Sequence, residues 1–176
     1  MADNGASITE RLFADDTRSV FVVLDGASVP GLVSKLQASN LECICLFRGA
    51  LAPDVAEVAP YLVHLLVGSE FTKWITREGW GKHWGIFALS ASDIRMLRQH
   101  FRTLLTVYDP NAKPVLFRYY DPRVMRTYLP TCNSEELTAL FGPVDKYIME
   151  DEAEPRGLLF RMSAAGLKQE TFLIEQ

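Results

Sequence analysis

Apolar positions along this chain switch between a period of two and a period near 3.6, and the switches divide it into strands and helices. Residues 1–17 are polar and mixed, but Ile8, Leu12 and Phe13 recur at the spacing of a short amphipathic helix. Ser19–Leu24 is a continuous β-branched apolar run, the pattern of a strand covered on both faces. Asp25-Gly26-Ala27 closes it with turn residues. Pro30 opens a helix to about Ala38, with Leu32, Val33 and Leu36 inward, and Asn40 stops it. Glu42–Phe47 reads as a second strand, with Cys43, Cys45 and Phe47 on one face. The strand–helix–strand order predicts a parallel crossover. Pro53 and Pro60 bracket a loop or helical turn, and Tyr61–Val67 returns as a third strand. Ser69 caps a helix that points Phe71, Trp74 and Ile75 inward and ends at Gly79. Trp84–Leu89 is a further strand. Ser90 and Asp93 predict a capping box for a helix with the stripe Ile94, Leu97, Phe101, Leu104 and Leu105. Its outward face carries Arg95, Arg98, Gln99 and Arg102.

The stretch Val115–Pro130 concentrates the unusual chemistry. Val115, Phe117 and Tyr119 alternate with Leu116, Arg118 and Tyr120, which predicts a strand with bulky residues on both faces, and so a central one. Arg118 in its middle cannot lose its proton to escape burial, so it needs an anion, a nest of carbonyls or a wet edge. Asp121-Pro122 then predicts a capped helix with Arg123 and Arg126 on one face. Ser134 caps another helix, with Glu135 and Glu136 in its first turn and Leu137, Leu140 and Phe141 inward; Gly142-Pro143 stops it. Val144–Met149 reads as a strand and Glu150–Glu154 as an acidic loop. Leu158–Met162 and Gln169–Ile174 form a hairpin around Ala164-Ala165-Gly166. The fold class is α/β: a mixed sheet with helices packed on it and an antiparallel C-terminal hairpin.

Composition narrows the function classes. A length of 176 residues predicts one domain, 1–176, with a sizeable core. A net charge of −4 argues against nucleic acid as the partner. The charge is segregated. Residues 95–126 carry 7 Lys and Arg against 2 Asp and Glu, whereas residues 127–176 carry 4 against 9. That suits an acidic partner or an internal salt-bridged seam, and equally an ordinary solvated helix face. Three cysteines make no disulfide framework. No cationic start followed by an apolar run opens the sequence, and no stretch reaches membrane-spanning length. The expectation is a reduced, cytoplasmic, soluble protein with no membrane span.

Catalytic signatures are sparse. There is no phosphate-binding glycine loop, nucleophile elbow or zinc-protease helix, and no cofactor is implied. The three glycines of GWGKHWG precede a strand, so they suit close packing of tryptophan rings against backbone rather than an anion cradle. Cys43 and Cys45 share a strand face without two further ligands, and Cys132, His64, His83 and His100 are scattered, so no metal site is expected. A Cys132–His couple stays open, since catalytic partners need only meet in space. Asp25 and Asp121 both follow apolar runs, where α/β enzymes place carboxylates. They read either as a hydrolase or phosphoryl-transfer site with Arg118, or as structure: Asp25 neutralising Arg118 and Asp121 capping a helix.

Five blocks taken together resemble a known family. VVLDGA (22–27), CLFRGALAPDVAEVAPYLVHL (45–65), FTKWITREGWGKHWGIF (71–87), LFRYYDPRVMRTYLPTC (116–132) and FGPV (141–144) look like domain-of-unknown-function family 4123, over roughly residues 20–145. That family is associated with bacterial type VI secretion, where its members act as adaptor chaperones for toxic effectors. The resemblance implies a non-enzymatic protein that binds a cognate secreted effector and helps load it onto a spike (VgrG-type) protein. It carries over to Asp25, Gly26, Trp80, Trp84, Gly85, Arg118, Tyr119, Tyr120, Asp121, Pro122, Arg123 and Pro130, which it implies are fold determinants that also shape the binding surface. Many members continue into a further, largely helical lobe, so the effector is expected on another surface here. The charge pattern nominates Arg95, Arg98, Arg102, Arg123 and Arg126 as partner-binding residues.

Overall fold

A computed structural model describes residues 6–153 and 155–175. Its centre is β1 (Ser19–Asp25), whose residues from Val20 onward are all buried. A strand apolar on both faces needs cover on both, and the chain supplies two helical layers. One face of the sheet packs against α1 (Ile8–Leu12), α2 (Leu32–Ser39) and α4 (Glu70–Glu78), through Val20, Val22 and Leu24 among others. The opposite face packs against α5 (Ile94–Leu104), α6 (Pro122–Tyr128) and α7 (Ser134–Phe141), through Phe21 and Val23. The short α3 (Pro53–Val58) lies at the rim and buries no residue.

The remaining strands of the main sheet are β2 (Cys43–Cys45), β3 (Pro60–Leu65), β4 (Gly85–Ser90), β7 (Lys146–Glu150), β8 (Arg156–Ser163) and β9 (Gly166–Leu173), in the spatial order β2-β3-β1-β4-β7-β8-β9. Every neighbouring pair is antiparallel. The predicted α/β class and C-terminal hairpin are present, and the hairpin extends the same sheet. The parallel crossover is not. β2 pairs antiparallel with β3, and β3 with β1, so α2 is a connection between strands that are not neighbours.

The largest departure is at Val115–Tyr120. Only Pro114–Leu116 forms a strand, β6, and it pairs with β5 (Thr106–Tyr108) in a separate two-stranded ribbon. Val107, Tyr108, Val115 and Leu116 are all exposed. The central position that the alternation predicted is already filled, because β3 and β4 flank β1. After β6 the chain turns, and the consecutive rings of Tyr119 and Tyr120 both enter the core. Tyr119 stacks on Phe101 and donates its hydroxyl to the Phe101 carbonyl at 3.0 Å. Two smaller corrections concern caps. Asp93, not Ser90, caps α5, accepting from the Met96 amide. Asn133, not Ser134, caps α7, in a reciprocal box with Glu136. Among the described residues no helix is long and apolar enough to cross a membrane.

Candidate functional site

The C-terminal ends of β1 and β7 and the start of β4 lie side by side, and the named motif residues gather there. Asp25 is 1% exposed. Its Oδ2 accepts from Ser28 Oγ at 2.7 Å and from Arg118 Nη2 at 2.5 Å, and its Oδ1 accepts from the Ala27 amide. The predicted Asp25–Arg118 pair therefore exists, but the predicted burial of the cation does not: the Arg118 side chain is 43% exposed. Its turn sits at a sheet end rather than in a central strand, so the guanidinium has an anion on one side and water on the other. Burial lowers the pKa of Arg118, and the bond to Asp25 more than reverses this.

Asp121 is also buried and caps α6, accepting from the Arg123 amide, while its carboxylate takes Arg123 Nε at 3.0 Å and Nη2 at 2.7 Å. Burial pushes its pKa up, and the bonds from Arg123 hold it below the ordinary carboxylate value. Pro122 occupies the first helical position and is buried. Tyr120 lies within electrostatic reach of Asp25, Arg118 and Asp121; burial, then the Asp25 charge, raises its pKa. Pro130 is exposed in the 3-10 turn Leu129–Thr131 that follows α6, a turn anchored by the buried Leu129.

Two glycines make the arrangement possible. A Cβ on Gly26 would lie 2.4 Å from the Ala59 carbonyl oxygen, and one on Gly85 would lie 2.1 Å from that of Val23. Both gaps are below contact distance, so the turn after β1 and the start of β4 approach neighbouring backbone as only glycine can. Trp80 and Trp84 are half-buried and pack with the α1, α2 and α4 layer: Trp84 against Trp74 at 5.1 Å, Trp80 stacked on Phe87 at 6.3 Å.

Sequence reasoning missed a third buried acid. Glu150, read as part of an acidic loop, ends β7, is 4% exposed, and pairs with Nδ1 of His83 while accepting from the Gly81 amide at 2.7 Å. Burial raises its pKa, outweighing the attraction of His83. A cleft of about 10 Å³, the space of one water, opens beside it under Trp80 and Trp84. The signal that would have found it is that an apolar strand pattern ran directly into the acid, as at Asp25. Each of the three acids is thus already matched to a basic side chain. Among the described residues no group of three His, Cys, Asp or Glu is placed to hold a metal ion.

Cys132 donates to the Tyr128 carbonyl at 3.4 Å, and its charged neighbours include Glu136 but no histidine. Burial raises its pKa and that of Cys43, away from the thiolate form.

The nominated arginines separate into two kinds. Arg95 is exposed on α5, whereas Arg102 is structural: Nε donates to the Leu46 carbonyl, and Nη2 to those of Cys45 and Phe47, all at 3.0 Å. The carbonyl nest considered for Arg118 belongs to Arg102. Arg98 is half-buried, with an Nε that has no hydrogen-bond partner. Arg123 is taken by Asp121, and Arg126 reaches the Glu150 carbonyl at 3.5 Å, so these two belong to the sheet end and not to the α5 face.

No curated protein and no solved structure matches this chain. The family model described as domain of unknown function (DUF4123) matches residues 20–139, a span from the first residues of β1 through most of α7 that contains Asp25, Gly85, Arg118 and Asp121. With most of its length inside that match, the chain belongs to the DUF4123 family.

Proposed function

We propose that this protein is a cytoplasmic adaptor chaperone that binds a cognate type VI secretion effector and helps load it onto a spike protein, without catalysing a reaction. The observation that carries the reading is the β5–β6 ribbon, which leaves Val107 and Val115 exposed on one face and Tyr108 and Leu116 exposed on the other. Apolar surface held out in a ribbon is the mark of a docking element. The sheet-end motif supports the same reading, since its acids are committed to Arg118, Arg123 and His83: Asp25 ties the turn after β1 to the one before α6, and Glu150 ties the loop before β4 to the end of β7.

The competing reading, a small hydrolase or phosphoryl-transfer enzyme, has in its favour that Asp25, Asp121 and Arg118 do meet. It requires one carboxylate to leave its cation. Co-expression with the products of adjacent genes separates the two. The adaptor reading expects one of them to co-purify in fixed stoichiometry through gel filtration. Failure of every neighbour to do so, together with hydrolysis of a phosphate ester abolished by Asp25→Asn, would replace it with the enzyme.

A further inference from the structure

Where the loop after β2 meets the base of the ribbon, Leu46, Phe47, Leu51, Leu105 and Leu116 line an open groove of about 400 Å³, with Arg48 and Arg102 also on its wall. Arg98 stands one helical turn before Arg102 on α5. Arg48, Arg98 and Arg102 are close enough that the charges of Arg98 and Arg48 add to burial in lowering the pKa of Arg102. Such a cluster normally recruits carboxylates from its own fold. Here the ion pairs of the described residues involve other basic side chains, and no carboxylate figures among the electrostatic neighbours of Arg102, where the Cys45 thiol is the one opposing group. The Nε of Arg98 is buried with no acceptor at all. A donor left without a partner on burial is costly, so this side chain is not satisfied by its own fold.

Mutual repulsion beside an apolar groove specifies the complement. We infer that this groove and the ribbon face carrying Thr106, Tyr108 and Leu116 receive a segment of the protein partner whose apolar side chains are flanked by two or more carboxylates. The apolar side chains fill the groove, and the carboxylates are held by Arg48 and Arg98. The apolar contacts set the residence time, while the arginines set orientation and rate of encounter.

The inference deepens the adaptor reading and rests on it for the identity of the partner, but its chemistry is testable without one. The probes are three fluorescein-labelled molecules: a 14-residue amphipathic peptide of leucine, phenylalanine and glutamate, the same peptide with lysine for glutamate, and a single-stranded oligonucleotide. By anisotropy the acidic peptide should bind at least ten-fold more tightly than the other two, and more weakly as salt rises. Arg48→Glu with Arg98→Glu should weaken it ten-fold or more and flatten the salt dependence. Leu116→Ser, an exposed position, should also weaken it, which covers failure of the double variant to fold. Equal binding of acidic and basic peptides would overturn the inference, as would tighter binding of the oligonucleotide. So would a dimer in sedimentation that Leu116→Ser dissociates, because the occupant would then be a second copy. A complex with an adjacent gene product that survives all these substitutions would place docking elsewhere and leave the adaptor reading standing. Acidic-peptide binding that the substitutions abolish, with no co-purifying neighbour, would do the reverse.

Discussion

Asp25 can be almost wholly buried because three donors meet it, and only one of them, Arg118, brings a charge. Loss of one member of a fully buried ion pair costs about 3–5 kcal/mol, but water can reach the vacated side here, so the smaller scale of a charge-assisted hydrogen bond applies. Arg118→Ala should cost about 1–2 kcal/mol in urea unfolding. Asp25→Ala should cost more, since Ser28 and the Ala27 amide lose their acceptor too, and the double variant should fall short of the sum. Strict additivity would mean that the pair is not coupled. At Gly26 and Gly85 the obstacle is neighbouring backbone, which cannot rotate away. Gly26→Ala and Gly85→Ala should each cost about 2–3 kcal/mol, the scale of core overpacking, readable as a fall in the urea midpoint with little change in slope. The Asp25–Arg118 pair was legible because a long apolar run ended in one acid and a lone arginine elsewhere needed an anion. Glu150 and His83 were not, because the acid opens a run that reads as a solvated loop and a histidine, unlike an arginine, has no obligatory charge that demands an anion.

Among the elements, α5 shows how a helix can be read correctly and still surprise. Its apolar stripe is as predicted, with Ile94, Leu97 and Phe101 buried. Its polar side is not uniformly solvated, since Arg102 ties down the β2 end and His100 lies over Gly142, donating from Nε2 to the Leu140 carbonyl at 3.0 Å. Periodicity reports which face is apolar and says nothing about which polar residue finds a partner across the fold. His100 carries a consequence for pH. Burial lowers its pKa beneath the usual 6.5, against the opposing pull of the Leu140 carbonyl. A base with a depressed folded pKa leaves stability unchanged above the unfolded value. As pH falls below 6.5 the unfolded chain takes up the proton first, and stability declines down to the folded pKa. The Tm should therefore drop between pH 7.5 and pH 5.5, and His100→Gln should shrink that drop. An identical drop in the variant would assign it to other groups. The β5–β6 ribbon went unread because alternation alone cannot distinguish a covered strand from an exposed one; the distinguishing fact, that β1 already has two neighbours, is a property of the whole sheet.

Taken as a whole, the molecule encloses its most apolar strand between partners that come later in the chain. β1 pairs with β3, and then with β4, which is complete only at Ser90. Synthesis runs from the N-terminus at roughly 5–20 residues per second, so about 3–13 s separate the making of Asp25 from that of Ser90. Throughout that interval Val20–Leu24, five apolar residues without a charge, has at most one of its two neighbours, and it has the composition of an aggregation-prone segment. Timing on the ribosome is therefore a condition of yield. A fragment ending at Glu78 should collect in the pellet, and Phe21→Lys within that fragment should return it to the supernatant, although the same change in the full chain would place a charge in the core. A fragment that stays soluble without the substitution would show that α2 and β3 shield the strand by themselves. If it does not, slowing translation before Gly85 should lower the recovery of folded protein, and faster elongation there should raise it.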